Sequence, residues 1–343
     1  MEKNRHQILA NLLEGPLSFW KLITLQDRHL SLFMGLLKEM LKEGIIDWQG
    51  DKVSLTPKGF ELAKEAKLAK PQNVTCPLCR KKTVVKNGLF EKVYAKMEKL
   101  LPRRPPAVAE YDQGPVDLET VIARVMFMYE KGDLQGQKIF ILGDDDLTGI
   151  AAALTGMPEL VTVVEVDGRL VEFIRDFASQ EKLTNLQVLN YDVRSQLPAN
   201  LKEKYDTFFV DPVETLDGIL LFLTRSAQAI EGEGSAGYFG LTHLEASRRK
   251  WHLIQKNLLA MNFVITDILT NFQWYNLNGQ NFVGENYPLV TEAPVKLPPP
   301  EISWYSSNLF RIEAVDKLKT QEFVKIPAGR DLYFDEEAYA TIP

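Results

Sequence analysis

Between residues 138 and 241 the chain repeats one pattern, a short apolar run followed by a helical stretch, and this narrows the fold more than any other feature. The runs are 138–142, 160–167, 186–190, 205–210 and 235–241, and each reads as a strand buried on both faces. Residues 169–182 and 216–229 carry helical spacing, and an Ala-rich helix covers 150–154. Strands alternating with helices give a parallel sheet covered on both sides, so the predicted class is α/β, a Rossmann-like doubly wound sheet. In such a sheet, ligands meet the chain at the carboxyl ends of the strands. The first four runs end in acids here: Asp144–Asp146, then Glu165 and Asp167, then Asp192, then Asp211. One acid at one strand end means little; four in register point to a single site. An acid closing the second strand commonly takes ribose hydroxyls, and Asp192 is placed to accept from an adenine amino group. The expected ligand is an adenosine-type molecule.

The first loop, Gly143-Asp144-Asp145-Asp146-Leu147-Thr148-Gly149, departs from dinucleotide folds. Those need G-x-G-x-x-G so that backbone N–H groups can approach a pyrophosphate. Here the middle glycine is replaced and three carboxylates occupy the loop. A pyrophosphate would be repelled, which argues against NAD, FAD and ATP and for a cation: a sulfonium nucleoside, an amine, or both. Charge is distributed to match. Residues 1–65 carry nine basic and nine acidic side chains, residues 66–110 eleven and three, and residues 111–343 twenty and 34. An acidic region repels nucleic acid and attracts small cations, although a solubilising acidic surface explains the same numbers.

Residues 1–67 are expected to form three helices (4–14, 18–24 and 28–42, the last capped by Asp27), a hairpin at Gly50-Asp51, and a helix opened by Thr56-Pro57. That order is similar to a winged helix-turn-helix domain. Its charges cancel, so phosphate contact is unsupported and packing or dimerisation is the expected role. Residues 68–110 read as a basic connector with an extended Pro-rich segment at 101–106. Its Cys76 and Cys79 supply half of a tetrahedral zinc site, and the isolated histidines do not complete it. Residues 111–320 are the catalytic region, opened by a helix at 117–130, and 321–343 an acidic tail expected to be flexible. No apolar run reaches the roughly 18–20 residues of a membrane span and the first residues lack a signal-peptide pattern, so a cytoplasmic protein is expected.

At Gly143-Asp144-Asp145-Asp146 the chain resembles the branched-chain polyamine synthases of thermophilic archaea and bacteria. The resemblance extends over nearly the whole chain, through Tyr111-Asp112-Gln113, Glu165-x-Asp167, Tyr191-Asp192 and Asp211-Pro212. The family's fourth-strand motif is often written with a second proline, where this chain has Val213. The resemblance implies aminopropyl transfer from decarboxylated S-adenosylmethionine, a co-substrate rather than a bound cofactor, to the secondary amine of spermidine or a related linear polyamine. Branched polyamine and methylthioadenosine are the products.

The residue types suit that chemistry. An amine with a pKa near 10 is protonated at neutral pH and must lose its proton to attack carbon. A site carboxylate can take that proton, and others can anchor the remaining ammonium groups and complement the sulfonium. Asp146, furthest along the loop toward its open side, is expected to be the proton acceptor or orienting carboxylate. Asp144 or Asp145 would hold the sulfonium side chain, and Asp211, with Glu214 beside it, would face the acceptor. Gly143, Glu165, Asp167, Asp192 and Gln113 are expected around the nucleoside, with Tyr111 as a cover. Tail residues Asp331, Asp335, Glu336 and Glu337 are candidates for gathering polyamine as a flap, and Trp274, Tyr275, Trp304 and Tyr305 for aromatic walls. Two other readings compete. An S-adenosylmethionine-dependent methyltransferase would use the same nucleoside pocket, but three loop aspartates would repel its donor's carboxylate. A winged-helix regulator sensing a polyamine would need a cationic first domain. A homodimer is the expected assembly.

Overall fold

The computed structural model describes residues 2–72, 74–79, 81–276, 287–320 and 326–340. The first unit consists of α1 (Glu2–Asn11), β1 (Leu17–Ser18), α2 (Phe19–Ile23), α3 (Leu30–Lys42), β2 (Ile46–Gln49), β3 (Lys52–Leu55) and α4 (Pro57–Glu65). Its antiparallel sheet has the order β1-β3-β2. The β2–β3 turn falls at Gly50, where φ is +56° and glycine carries no Cβ penalty. Thr56 caps α4 by accepting from Gly59 N, with Pro57 in the first turn as expected. Helix α3 starts later than expected. His29 occupies its N-cap position without a side-chain bond, while Asp27 pairs with Arg28 and Arg248 instead.

This unit does not stand apart. Trp20 Nε1 donates to the Pro298 carbonyl at 3.0 Å, and its ring lies 5.2 Å from that of Trp304. The Leu30 amide donates to the Leu244 carbonyl at 2.8 Å. One apolar cluster runs from Leu12, Phe19 and Met40 through Met97 to Val125 and Ile141. The connector is also more ordered than the sequence reading allowed. Helix α5 (Leu89–Leu100) buries Phe90, Val93, Met97 and Leu100 at helical spacing, and a 3-10 turn covers Leu101–Arg103 in place of extended chain.

The remaining elements are α6 (Leu118–Glu130), β4 (Lys138–Leu142), α7 (Thr148–Leu154), β5 (Leu160–Glu165), α8 (Gly168–Glu181), β6 (Leu186–Asn190), β7 (Thr207–Val210), α9 (Leu216–Ala229), β8 (Ala236–Leu241), α10 (Arg248–Ala260), β9 (Phe263–Trp274), α11 (Pro288–Thr291) and β10 (Ser306–Ala314). They build a seven-stranded sheet of order β6-β5-β4-β7-β8-β10-β9. Strands β4 to β8 pair in parallel, and β10 pairs antiparallel with both β8 and β9. Helices α6, α7 and α8 pack into the core on one face, and α9 and α10 on the other. The chain leaves β4 toward β5 on one side and returns as β7 on the other, so the crevice opens at the carboxyl ends of those three strands.

The tail, as far as it is described, is docked rather than loose. Leu332 and Tyr339 are buried. Thr215 Oγ1 donates to the Leu332 carbonyl at 2.7 Å. The amides of Tyr339 and Ala340 both donate to Glu245 Oε1 at 2.6 Å. The expectation of a flexible end therefore fails for 326–340, because apolar burial and paired amides hold it; 321–325 and 341–343 lie outside the described residues.

Candidate active site

The three aspartates of the first loop point in three directions, because the loop turns sharply: Gly143 and Leu147 both have positive φ, +74° and +62°. Asp144 points down toward the next helix, where its carboxylate accepts from Gly149 N at 2.9 Å. A Cβ on Gly149 would meet Val163 Cγ2 at 2.5 Å and that carboxylate at 2.8 Å, so only a glycine fits at the end of the loop. Asp146 points inward. It accepts from Val116 N at 2.5 Å and pairs with the wholly buried Arg124 at 2.5 Å. Asp145 alone of the three lines the cleft, and its buried Oδ2 has no hydrogen-bond partner among the described residues. Burial and the charge of Asp146 push the Asp145 carboxyl well above the usual carboxylate range, with Arg104 acting against them. The expected place of Asp146 nearest the open side is not observed: its carboxylate is spent on Arg124.

Arg124 is a hub that the sequence reading passed over. Its other terminal nitrogen pairs with Asp211 at 2.5 Å, its Nε donates to Gln273 at 2.6 Å, and its guanidinium lies 4.8 Å from the Phe209 ring centroid. The signal was present as one cation inside the apolar run of α6. Asp211 lines the cleft and accepts from Tyr275 Oη at 3.0 Å. Burial raises its pKa, with Arg124 opposing. Asp211 reaches this position only because β8 carries Gly240, where a Cβ would collide with Asp211 Oδ1 and with Gln273 Nε2.

Three further acids line the same cleft: Glu214, Glu245 and Asp112. Burial and Glu245 hold Glu214 well above the carboxylate range. Burial raises Glu245, with the tail amides of Ala340 and Tyr339 opposing. Burial and Glu245 push Asp112 up to about 7. Asp112 sits in a left-handed backbone conformation, φ +54°, which aspartate tolerates better than most residues. Neither Asp112 nor Glu245 was among the expected site residues. Asp112 shows in the sequence only as the middle of Tyr111-Asp112-Gln113, and Glu245 follows β8 at a distance that no motif marks. Tyr275 and Tyr305 supply cleft walls, their rings edge to face at 5.2 Å. Trp304 is instead core, packed on Trp20.

The nucleoside side forms at β5 and β6. Glu165 lines the cleft, its two carboxylate oxygens accepting from Asp144 N at 2.8 Å and Asp167 N at 2.9 Å. Burial raises its pKa. Asp167 does not line the cleft. It accepts from Gln113 Nε2 at 3.0 Å and pairs with Arg169, and although burial opposes ionisation these bonds hold it below its usual range. Gln113, Tyr111, Gly143, Asp192 and Arg194 line this end, together with the apolar Leu142, Val164 and Val193. The Arg194 bond lowers the Asp192 pKa. Asp335 and Glu337, expected to gather substrate, instead pair with Lys250 at 2.9 and 3.5 Å. Asp331 and Glu336 are exposed, outside the cleft lining; from the tail, Tyr333 reaches the cleft. Cys76 is exposed, Cys79 is partly buried, and both are free thiols; among the described residues no group of three or more His, Cys, Asp or Glu could hold a metal ion.

A doubly wound sheet with an apolar, acid-edged pocket beyond β5 and β6, and a crowd of carboxyls in the same cleft, fits a nucleoside-dependent transferase, here of a kind suited to cations. Residues 92–340 match the family described as branched-chain polyamine synthase A C-terminal domain. The chain is 35% identical over 352 aligned residues to the N(4)-bis(aminopropyl)spermidine synthase of Thermococcus kodakarensis, covering 99% of this chain and 97% of that one. It is 36% identical to the synthase of the same name from Methanocaldococcus jannaschii, covering 99% and 95%. The crystal structure of the branched-chain polyamine synthase from Thermus thermophilus, in complex with N4-aminopropylspermidine and 5'-methylthioadenosine, superposes with a TM-score of 0.86 at 33% identity, covering 98% of this chain and 92% of that one. The chain belongs to the branched-chain polyamine synthase family.

Proposed function

We propose that this protein transfers aminopropyl groups from decarboxylated S-adenosylmethionine to the secondary amine of spermidine, giving a branched polyamine and methylthioadenosine. The observation that carries the reading is that, besides Glu165 and Asp192, five acids line the cleft, Asp112, Asp145, Asp211, Glu214 and Glu245, of which Arg124 compensates only Asp211 directly. Buried carboxyls with raised pKa values are poorly solvated anions, and a polycation is the ligand that relieves them. Glu165 takes the ribose, Asp192 the adenine edge, and Tyr111 and Gln113 cover the nucleoside. Asp167 acts through Gln113 rather than on the ligand.

Asp145 is the proton acceptor in this reading. The acceptor nitrogen arrives protonated and has no lone pair until it loses that proton. A carboxyl with a raised pKa is a stronger base than an ordinary one, which narrows the gap to an amine near pKa 10. As nitrogen attacks the carbon next to sulfur, positive charge leaves the sulfonium and develops on nitrogen. Asp211 and Asp145 then face the new charge from fixed positions, without reorganisation. Tyr275 and Arg124 hold Asp211 in place.

The methyltransferase alternative is tested by its donor. S-adenosylmethionine carries a carboxylate where the decarboxylated donor carries none, and this cleft is lined with acids. Calorimetric titration should show the decarboxylated donor and methylthioadenosine binding at least about ten-fold more tightly than S-adenosylmethionine. Equal or tighter binding of S-adenosylmethionine would favour methyl transfer. A cytoplasmic homodimer completes the proposal; Leu32, Val74 and Leu78 are exposed apolar residues available for a subunit contact, and sedimentation velocity reads the mass.

A further inference from the structure

Lys250 lies in the first turn of α10, where Ser247 caps the helix and accepts from the Lys250 amide at 3.2 Å. A cation at a helix N-terminus sits at the wrong end of the helix dipole, and this side chain is only 6% exposed. Its position must therefore be set by its partners. An ammonium has three N–H donors. These meet the Glu214 carbonyl at 3.0 Å, the Glu245 carbonyl at 3.0 Å, and the Asp335 carboxylate at 2.9 Å, with Glu337 at 3.5 Å. The two carbonyls belong to two of the acids that face the cleft, carried on loops after different strands, β7 and β8.

We infer that Lys250 is a positioning residue for the acceptor end of the cleft: by holding the main chain at Glu214 and at Glu245 together, it keeps both carboxyls aimed at the polyamine. The inference rests on the aminopropyltransferase reading for the identity of the ligand. Its charge also favours ionisation of both glutamates, which the ammonium groups of a polyamine require. No contact ties Lys250 to Glu165 or Asp192, so its effect should fall on one substrate only.

The test is calorimetric binding of spermidine and, separately, of methylthioadenosine to the wild-type protein and to Lys250→Met, which keeps the stem and removes the charge. Spermidine affinity should fall about ten-fold or more, as expected when groups that hold a ligand lose their fixed positions, with methylthioadenosine affinity unchanged. A spermidine affinity within two-fold of wild type would overturn the inference and leave the functional reading intact. A parallel loss for both ligands would overturn it too, since it would mark a structural role alone. Failure of the wild-type protein to bind spermidine would overturn both. Should Lys250→Met not fold, Lys250→Gln keeps a donor for one carbonyl without the charge. It should lose spermidine affinity at least about three-fold, and an unchanged value would be equally fatal.

Discussion

At the scale of single residues, adjacent aspartates of the same chemistry have different jobs because the backbone aims them differently. Asp145 faces the cleft with a free carboxylate oxygen, while Asp146 neutralises Arg124 inside the protein. Asp145→Asn should lower kcat by on the order of 100-fold or more, as expected on removing a general base, while thermal stability is kept or improved, since a buried acid is replaced by a neutral amide. Asp146→Asn should instead destabilise the fold by on the order of 3 kcal/mol by stripping a partner from a buried cation. Thermal melts and saturating-substrate rates on the two variants read this, and full activity in Asp145→Asn would remove it from the mechanism. That three acids stand in this loop was legible in the sequence. Which one faces the ligand was not, since side-chain direction here depends on the left-handed turn at Leu147 and on Arg124, a residue in a different helix.

At the scale of elements, the parallel strands were legible because burial on both faces leaves an unbroken apolar run, as in β4 and β7. Strand β9 was not read as one. It is an edge strand whose exposed and half-buried residues alternate along most of its length, so polar side chains interrupt it. Yet β9 and β10 hold Gln273 and Ser307 behind Asp211. Strand β8 contributes by an absence, the missing Cβ of Gly240. Gly240→Ala should displace the Asp211 carboxylate, costing about 1–3 kcal/mol as overpacking does and raising the spermidine KM. An unchanged KM would show that the Asp211 position does not matter. The docked tail makes a parallel prediction. Ending the chain after Arg330 removes the amides of Tyr339 and Ala340 from Glu245. The spermidine KM should rise while the donor KM holds, and a rise confined to the donor would contradict this placement.

At the scale of the whole molecule, burial makes the carboxyls of the cleft hold their protons more tightly than free carboxyls do. Asp112 is raised to about 7, and Asp145, Glu214, Glu245 and Asp211 are raised as well. A raised carboxyl binds more protons folded than unfolded, so Asp112 makes the ligand-free protein less stable as pH rises from about 4 to about 7, and the other raised carboxyls act in the same direction. A polycation favours their ionised forms and so expels protons. Near pH 6.5, spermidine binding should release protons, which calorimetry in buffers of different ionisation enthalpy detects, and proton uptake would contradict the arrangement. The N-terminal unit, whose helix and hairpin order was largely legible, is built into this molecule through Trp20 and Leu30. Those contacts were hidden in the sequence, since their partners, Pro298 and Leu244, lie more than two hundred residues away.

The most direct measurement is tandem mass spectrometry of the amine formed from spermidine and decarboxylated S-adenosylmethionine. The predicted product carries its new aminopropyl groups on the internal nitrogen and appears together with methylthioadenosine. A linear product extended at a terminal amine would contradict the account, as would a methylated amine formed from S-adenosylmethionine with no aminopropyl transfer.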